Sequence, residues 1–182
     1  MPRKFFRRYL PQPEAVLERP WAAPFRPWLG HPSLWHLNRR SVSGAVAIGL
    51  FCGLIPGPFQ MLVALLIAIP LRRNIPVALF VTLYTNPLTI VPLYLLAYGY
   101  GRLLLGNNSA NAPALPYEWE WSVQAFLQWM ASLGKPLLLG LPALALTLAV
   151  LGYFATDLVW RVHVIAAWRA RRRRRQHPES LH

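Results

Sequence analysis

The apolar residues of this chain fall into three long runs, not into the short alternating stripes of a half-buried sheet or the one-sided stripes of a surface helix. Ser41 to Leu71 is a 31-residue stretch without a charge, Ile75 to Gly101 a second of 27, and Pro136 to Thr156 a third. A helix crossing a membrane takes about 20 apolar residues for a hydrocarbon core of roughly 30 Å. The third run matches one such span, ending at Trp160, with Asp157 one helical turn from Arg161 and placed to pair with it. The first two match less simply. At ~1.5 Å per residue a straight 31-residue helix would reach roughly 46 Å, too long for one crossing. It is also too short for two full crossings with a turn. Proline interrupts each run: Ile55-Pro56-Gly57-Pro58 in the first, Asn86-Pro87 and then Pro92 in the second. Proline removes a backbone donor and clashes with the preceding turn, and long, interrupted apolar segments in pairs read as broken or re-entrant helices. The expected fold class is an all-α membrane protein, a polytopic helical bundle with two proline-broken, re-entrant-type apolar segments and one further transmembrane helix.

The charges orient this scheme. Cytoplasmic loops collect Lys and Arg. If the first run is a re-entrant hairpin, Arg39/Arg40 and Arg72/Arg73 both stay cytoplasmic, the second run crosses outward and the third returns. A plain crossing for the first run would strand Arg72/Arg73 outside, and two hairpins would expel the tail Arg169 and Arg171–Arg175. Both termini are thus expected in the cytoplasm. The resulting division is residues 1–40 as a basic, Pro- and Trp-rich interfacial arm and 41–106 as the membrane core. Residues 107–135 form a periplasmic loop with an interfacial helix, 136–160 a transmembrane helix and 161–182 a basic tail. Arg3 to Leu10 alternates basic and apolar pairs, which suits a short interfacial helix. Trp21, Trp28 and Trp35 on the inside, and Trp119, Trp121 and Trp129 outside, are expected at the lipid headgroups.

The breaks carry the candidate chemistry. Asn86-Pro87 reads as a helix start, with Asn as cap and proline at the first helical position, and Thr89 in the first turn beside Thr85 and Asn86. Gly57-Pro58 offers a parallel start, followed by Gln60. Helix N-termini expose unpaired N–H groups and a partial positive charge. At membrane depth these groups need polar partners, and an anionic or phosphate group is a natural guest. Gly57, Pro58, Gln60, Thr85, Asn86, Pro87 and Thr89 are therefore candidate ligand-binding residues. Arg39, Arg40, Arg72 and Arg73 are candidate binders of anionic headgroups. A packing-only account stands beside this one: broken helices also kink simply to pack, and Ser, Thr, Asn and Gln satisfy one another across helices. Gly44, Ala45, Ala47, Gly49 and Gly53 recur as close packing would require.

Composition narrows the functional classes. Of 182 residues 55% are hydrophobic and only 14% charged, which argues against both an ordinary soluble enzyme and a disordered chain. Cys52 is the one cysteine, so a disulfide framework is excluded. His31 and His36 lie five apart with no acid beside them, short of the three or four converging ligands of a zinc site. No carboxylate lies inside an apolar run to serve as a general acid or base at depth, so no enzyme activity and no cofactor is expected. The net charge of +13 would suit nucleic acid, yet the basic residues flank the apolar runs, where anionic lipid attracts them. Membrane lipids with anionic headgroups are the expected partners, with a homo-oligomer or an envelope-complex partner beside them and nucleic acid disfavoured. The expected function is transport or flipping of an anionic lipid or small molecule; the alternative is a non-catalytic scaffold or assembly subunit of an envelope complex.

Several ordered segments carry a family resemblance. They are Leu34-Trp35-His36-Leu37-Asn38-Arg39-Arg40-Ser41-Val42, Ala47-Ile48-Gly49-Leu50-Phe51, Ile55-Pro56 to Phe59-Gln60-Met61, Arg72 to Asn74-Ile75-Pro76, and Thr85-Asn86-Pro87-Leu88-Thr89. With these the chain resembles the bacterial membrane proteins grouped as domain of unknown function 2062, strongly over residues 1–106 and more loosely from Trp160-Arg161 to Trp168-Arg169. The resemblance implies a Gram-negative inner-membrane protein and brings no activity, substrate or catalytic residue with it. Gly57 departs from the larger residue common at that place, which implies a more flexible apex.

Overall fold

The computed structural model describes residues 31–57, 59–106 and 123–176. Among them are a 3-10 turn, Pro32–Leu34, and six α-helices with no strand: α1 (Arg39–Cys52), α2 (Phe59–Ala68), α3 (Ile75–Thr82), α4 (Ile90–Leu104), α5 (Val123–Ser132) and α6 (Gly134–Gln176). The all-helical class expected from the apolar runs is observed. Each of the first two runs is divided into two short helices, and the divisions fall around Pro56-Gly57-Pro58 and around Asn86-Pro87.

Local chemistry sets the ends. Asn38 caps α1 by accepting from the Ser41 amide at 2.7 Å, and Asn74 caps α3 by accepting from the Val77 amide at 3.0 Å. Such caps satisfy amides that a helix start leaves unpaired. In the second run the regular helix begins at Ile90, not at Pro87; residues 87–89 form a turn that leads into it. Pro92 makes no second break, because it sits in the first turn of α4, where its missing N–H has no partner to lose. Pro142 likewise lies inside α6 without ending it.

The α1–α2–α3 unit folds back and forth. Arg73 donates from Nη1 to the Arg40 carbonyl at 2.6 Å, so both ends of the first run lie together. Positions 44, 49 and 53 of α1 face Arg73, Ala78/Val81 and Tyr84 in that order, so α3 runs parallel to α1 with α2 as the return arm. The core here is built from small residues, among them Ala45, Ala64, Ala68 and Ala78, with Leu34, Ile48, Cys52 and Ile75. The glycines of α1 do serve close packing: a Cβ at Gly49 would stand 2.6 Å from the Ala78 carbonyl.

Helix α6 is the spine. Gly101 of α4 meets it at Pro136 and Ala97 at Gly140, Tyr100 reaches Thr147 at 3.1 Å, Leu50 of α1 lies on Gly152, and Arg39 pairs with Asp157 at 3.1 Å. Thus α4 and α1 occupy successive stretches of α6, both antiparallel to it. Since α3 parallels α1, α3 and α4 run in the same direction as one broken rod; α3 packs on α1, and the contact along α6 is made by α1 and α4. From Pro136 to Asp157 that contact measures about 31 Å at ~1.5 Å per residue.

Two expectations change. Trp129 is not at an outer surface; it is buried with Tyr94, Leu133 and Leu137, because α5 closes over the start of α4 and the rings of Phe126 and Trp129 pack there. The last helix does not stop with the apolar run at Trp160 but continues to Gln176, since nothing between them is a helix breaker. The stretch Arg3 to Leu10, the tryptophans Trp21, Trp28, Trp119 and Trp121, and the end of the tail (residues 177–182) lie outside the described residues, as does Pro58.

Candidate functional site

The breaks of the two runs meet. Thr85, in the α3–α4 break, places its Oγ1 2.5 Å from the Gly53 carbonyl at the end of α1 and 2.8 Å from Gln60 Oε1 in the first turn of α2. Its Oγ1 is also 3.1 Å from the carbonyl of Thr82. Of the candidate ligand residues, the fold thus brings together Gln60 and Thr85. Gly57, at φ 74°, is exposed at the turn before α2, a left-handed conformation that glycine adopts without a steric cost.

Asn86, Pro87 and Thr89 form a separate, self-contained turn. Asn86 Oδ1 accepts from the Leu88 and Thr89 amides at 2.9 and 3.0 Å, while Thr89 Oγ1 accepts from the Asn86 amide at 2.9 Å. This is a reciprocal capping arrangement. Thr89 also donates to the Tyr84 carbonyl at 2.7 Å. The expectation that these amides lie open to an anion is therefore altered: the side chains that make the turn already occupy them.

The groups that most need partners at the first break are carbonyls. The end of α1 leaves its last carbonyl oxygens without amide partners, and hydroxyls of the second run take them up. Tyr84 donates to the Leu50 carbonyl at 2.9 Å and Tyr94 to the Leu54 carbonyl at 2.8 Å, beside Thr85 on Gly53. Sequence reasoning passed over Tyr84 and Tyr94. Their signal was a hydroxyl inside an uncharged run, where a buried phenol needs an acceptor.

The arginines gather at the opposite end of the α1–α2–α3 unit. Arg39 and Arg40 begin α1, and Arg72 and Arg73 form the α2–α3 turn against them. Arg72 holds φ 54°, a left-handed conformation that costs a non-glycine residue free energy. Asp157 is the one acid among the described residues. It binds Arg161 at 2.8 Å, as its i,i+4 spacing predicts, and Arg39 at 3.1 Å. Arg40 and Arg72 keep exposed side chains, whereas Arg73 lies across Gly44. His36 contacts the Pro32 carbonyl through Nδ1 at 2.9 Å and is not turned into a shared site with the arginines. Among the described residues no group of three His, Cys, Asp or Glu gathers in a way that would hold a metal ion.

Among the described residues one helix, over Gly134–Arg169, is long and apolar enough to cross a membrane, and most of its apolar stretch is exposed. Leu138, Leu146, Leu151 and Phe154 stand exposed along it. No curated protein and no solved structure matches this chain. A family profile described as "Uncharacterized protein conserved in bacteria (DUF2062)" matches residues 22–169, so the match runs through the stretch between the second and third apolar runs as well as through both breaks. The chain belongs to this bacterial family, DUF2062.

Proposed function

We propose that this chain is a multi-pass protein of the bacterial inner membrane that binds an anionic headgroup on the cytoplasmic side and transports or flips the lipid or small molecule bearing it. The observation that carries the reading is the meeting of Arg39/Arg40 with Arg72/Arg73 at one end of a hairpin, opposed among the described residues by the single carboxylate of Asp157. In this reading α6 crosses the bilayer, the α3–α4 rod crosses beside it, and α1 with α2 enters and returns. The contact of about 31 Å along α6 matches a hydrocarbon core of roughly 30 Å. The exposed leucines of α6 then face lipid, and both termini belong to the arginine side.

Arg40 and Arg72 attract the anionic group, each contributing about 1 kcal/mol near a negatively charged surface. The strain at Arg72 supports a functional reason for placing a guanidinium at that turn, where glycine would fit at lower cost. The broken rod beside the bound headgroup supplies the movable element. The full chain, reconstituted in liposomes, is expected to accelerate movement of fluorescent phosphatidylglycerol between leaflets more than that of phosphatidylcholine. Arg40→Gln with Arg72→Gln should reduce the anionic rate several-fold and leave the zwitterionic rate alone. Equal rates with and without the wild-type protein would overturn the transport reading.

A scaffold role is the second reading. Its support is the length of α6 beyond Asp157, where Leu158, Val162 and Ile165 are exposed next to Arg161 and Arg169. It predicts that a stoichiometric partner co-purifies and that deletion of residues 169–182 releases it, while no lipid movement is seen.

A further inference from the structure

We infer that two copies of this chain pair in the membrane through the face of α2, α3 and the α3–α4 break that lies away from α6. The inference rests on the membrane-crossing part of the reading above and not on transport. It starts from depth. Leu50, just before Gly53, lies on Gly152 of α6, and Ala97, inside α4, lies on Gly140. The two breaks, joined by Thr85 on Gly53, stand between these levels. At ~1.5 Å per residue, each level is about 6 Å or more inside the nearer end of the α6 contact. Irregular backbone is tolerated at such depth where protein or a water-filled cavity covers it, not where lipid does. Yet Gly57 and the turn Asn86-Pro87-Leu88 are exposed, Leu88 by 77%.

The turn also keeps polar capacity that the single chain does not use. Asn86 Oδ1 accepts two amides, which turns its NH2 group away from them, and Nδ2 makes no hydrogen bond among the described residues. An asparagine side chain carries two N–H donors there. The nitrogen four residues beyond Leu88 belongs to Pro92, which has no hydrogen to give the Leu88 carbonyl. One exposed turn therefore offers both a donor and an acceptor.

Its surroundings favour protein over water as the cover. Phe80 and Leu83 precede the turn, and Phe59 and Leu62 adjoin it through the Gln60–Thr85 contact; all four are exposed and apolar. Neither uncharged run brings a charge to this level. In a membrane, a polar residue among apolar side chains serves to hydrogen-bond across a helix interface.

A second copy is the occupant that this turn fits. In a two-fold pair the same patch meets itself, so the patch must carry its own complements. Here the Asn86 NH2 of one copy has the carbonyl of the partner's Leu88 as its acceptor, and the reverse. An axis along the membrane normal keeps both turns at one depth and both arginine ends on one side. Because α1 stands between α6 and the α2–α3 pair, the exposed leucines of α6 stay outside the interface and face lipid.

The test is cross-linking of the full chain in native membranes, with Leu88→Cys as the single cysteine in a Cys52→Ala background. Copper phenanthroline or a short bis-maleimide should join most chains at twice the monomer mass. With two differently tagged copies co-expressed, the product should carry both tags. Leu146→Cys, exposed on α6 between the same two levels, is the control and should stay monomeric. Both side chains are exposed, so neither change threatens the fold. Equal cross-linking at the two positions, a product without the second tag, or no product from Leu88→Cys overturns the proposal. So does modification of Leu88→Cys by a membrane-impermeant thiol reagent, since water would then cover the turn. An alkaline carbonate wash separates this failure from failure of the reading beneath it. A chain that stays in the membrane pellet without cross-linking refutes the pair alone, and a chain that is released refutes the membrane-crossing reading as well.

Discussion

Tyr94 has no exposed surface, yet its hydroxyl is not wasted: it donates to the Leu54 carbonyl at 2.8 Å while its ring stacks on Phe126 at 5.7 Å. The residue therefore joins the end of α1, the second run and α5 through one side chain. Removing only the oxygen isolates the polar part of that role. Tyr94→Phe should keep the stacking and leave the Leu54 carbonyl unpaired, lowering stability by about 1–3 kcal/mol; a denaturation curve of the purified protein measures it. Thr85 and Tyr84 act in the same way on neighbouring carbonyls. The sequence pointed to Thr85 and Gln60 but assigned them to a helix N-terminus. What the fold brings to them is a helix C-terminus, so the chemistry at the break is that of carbonyl oxygens more than of amides.

Close approach of helices governs the next scale. At the α4–α6 contact, Gly101 faces the Pro136 carbonyl and Gly140 faces the Ala97 carbonyl, and a Cβ on either would overlap that backbone. Ala97 with Gly101 and Pro136 with Gly140 are small residues four apart on each helix, a spacing that lets helix backbones meet in a membrane. Gly140→Leu should force α4 from α6 and cost about 1–3 kcal/mol or more. Gly99 is the control: open space surrounds its missing Cβ, so Gly99→Ala should be neutral or stabilising by about 0.5–1 kcal/mol. A thermal melt of both variants in the same detergent checks the contrast. The pairing of these helices was not legible beforehand, because glycine spacing on one helix does not say which partner receives it. The small residues of α1 were legible as a packing face; that α3 is the helix packed on them was not.

At the scale of the molecule, the arrangement along α6 sets Arg72 and Leu105 at opposite ends of the contact. With the buried Cys52 replaced by alanine, cysteines introduced at these two exposed positions give the orientation. A membrane-impermeant maleimide added to intact spheroplasts should label the Leu105→Cys protein. The Arg72→Cys protein should react only after permeabilisation. The reverse pattern would invert the topology, and equal labelling of both would remove the multi-pass reading.

The sequence by itself determined that the chain is helical, that its first two apolar runs break around Pro56 and Pro87, and that Asp157 pairs with Arg161. Each of these follows from local rules: proline beside glycine or asparagine favours a break over a continued helix, and residues four apart on one helix meet. Tertiary structure decided the rest. It paired Arg39 with Asp157, set hydroxyls of the second run on carbonyls of the first, buried Trp129, and brought Gln60 to Thr85. These contacts join segments distant in the chain, and many residues of the same polarity and size could have met any one of them. Only the geometry of packed helices chooses among such partners.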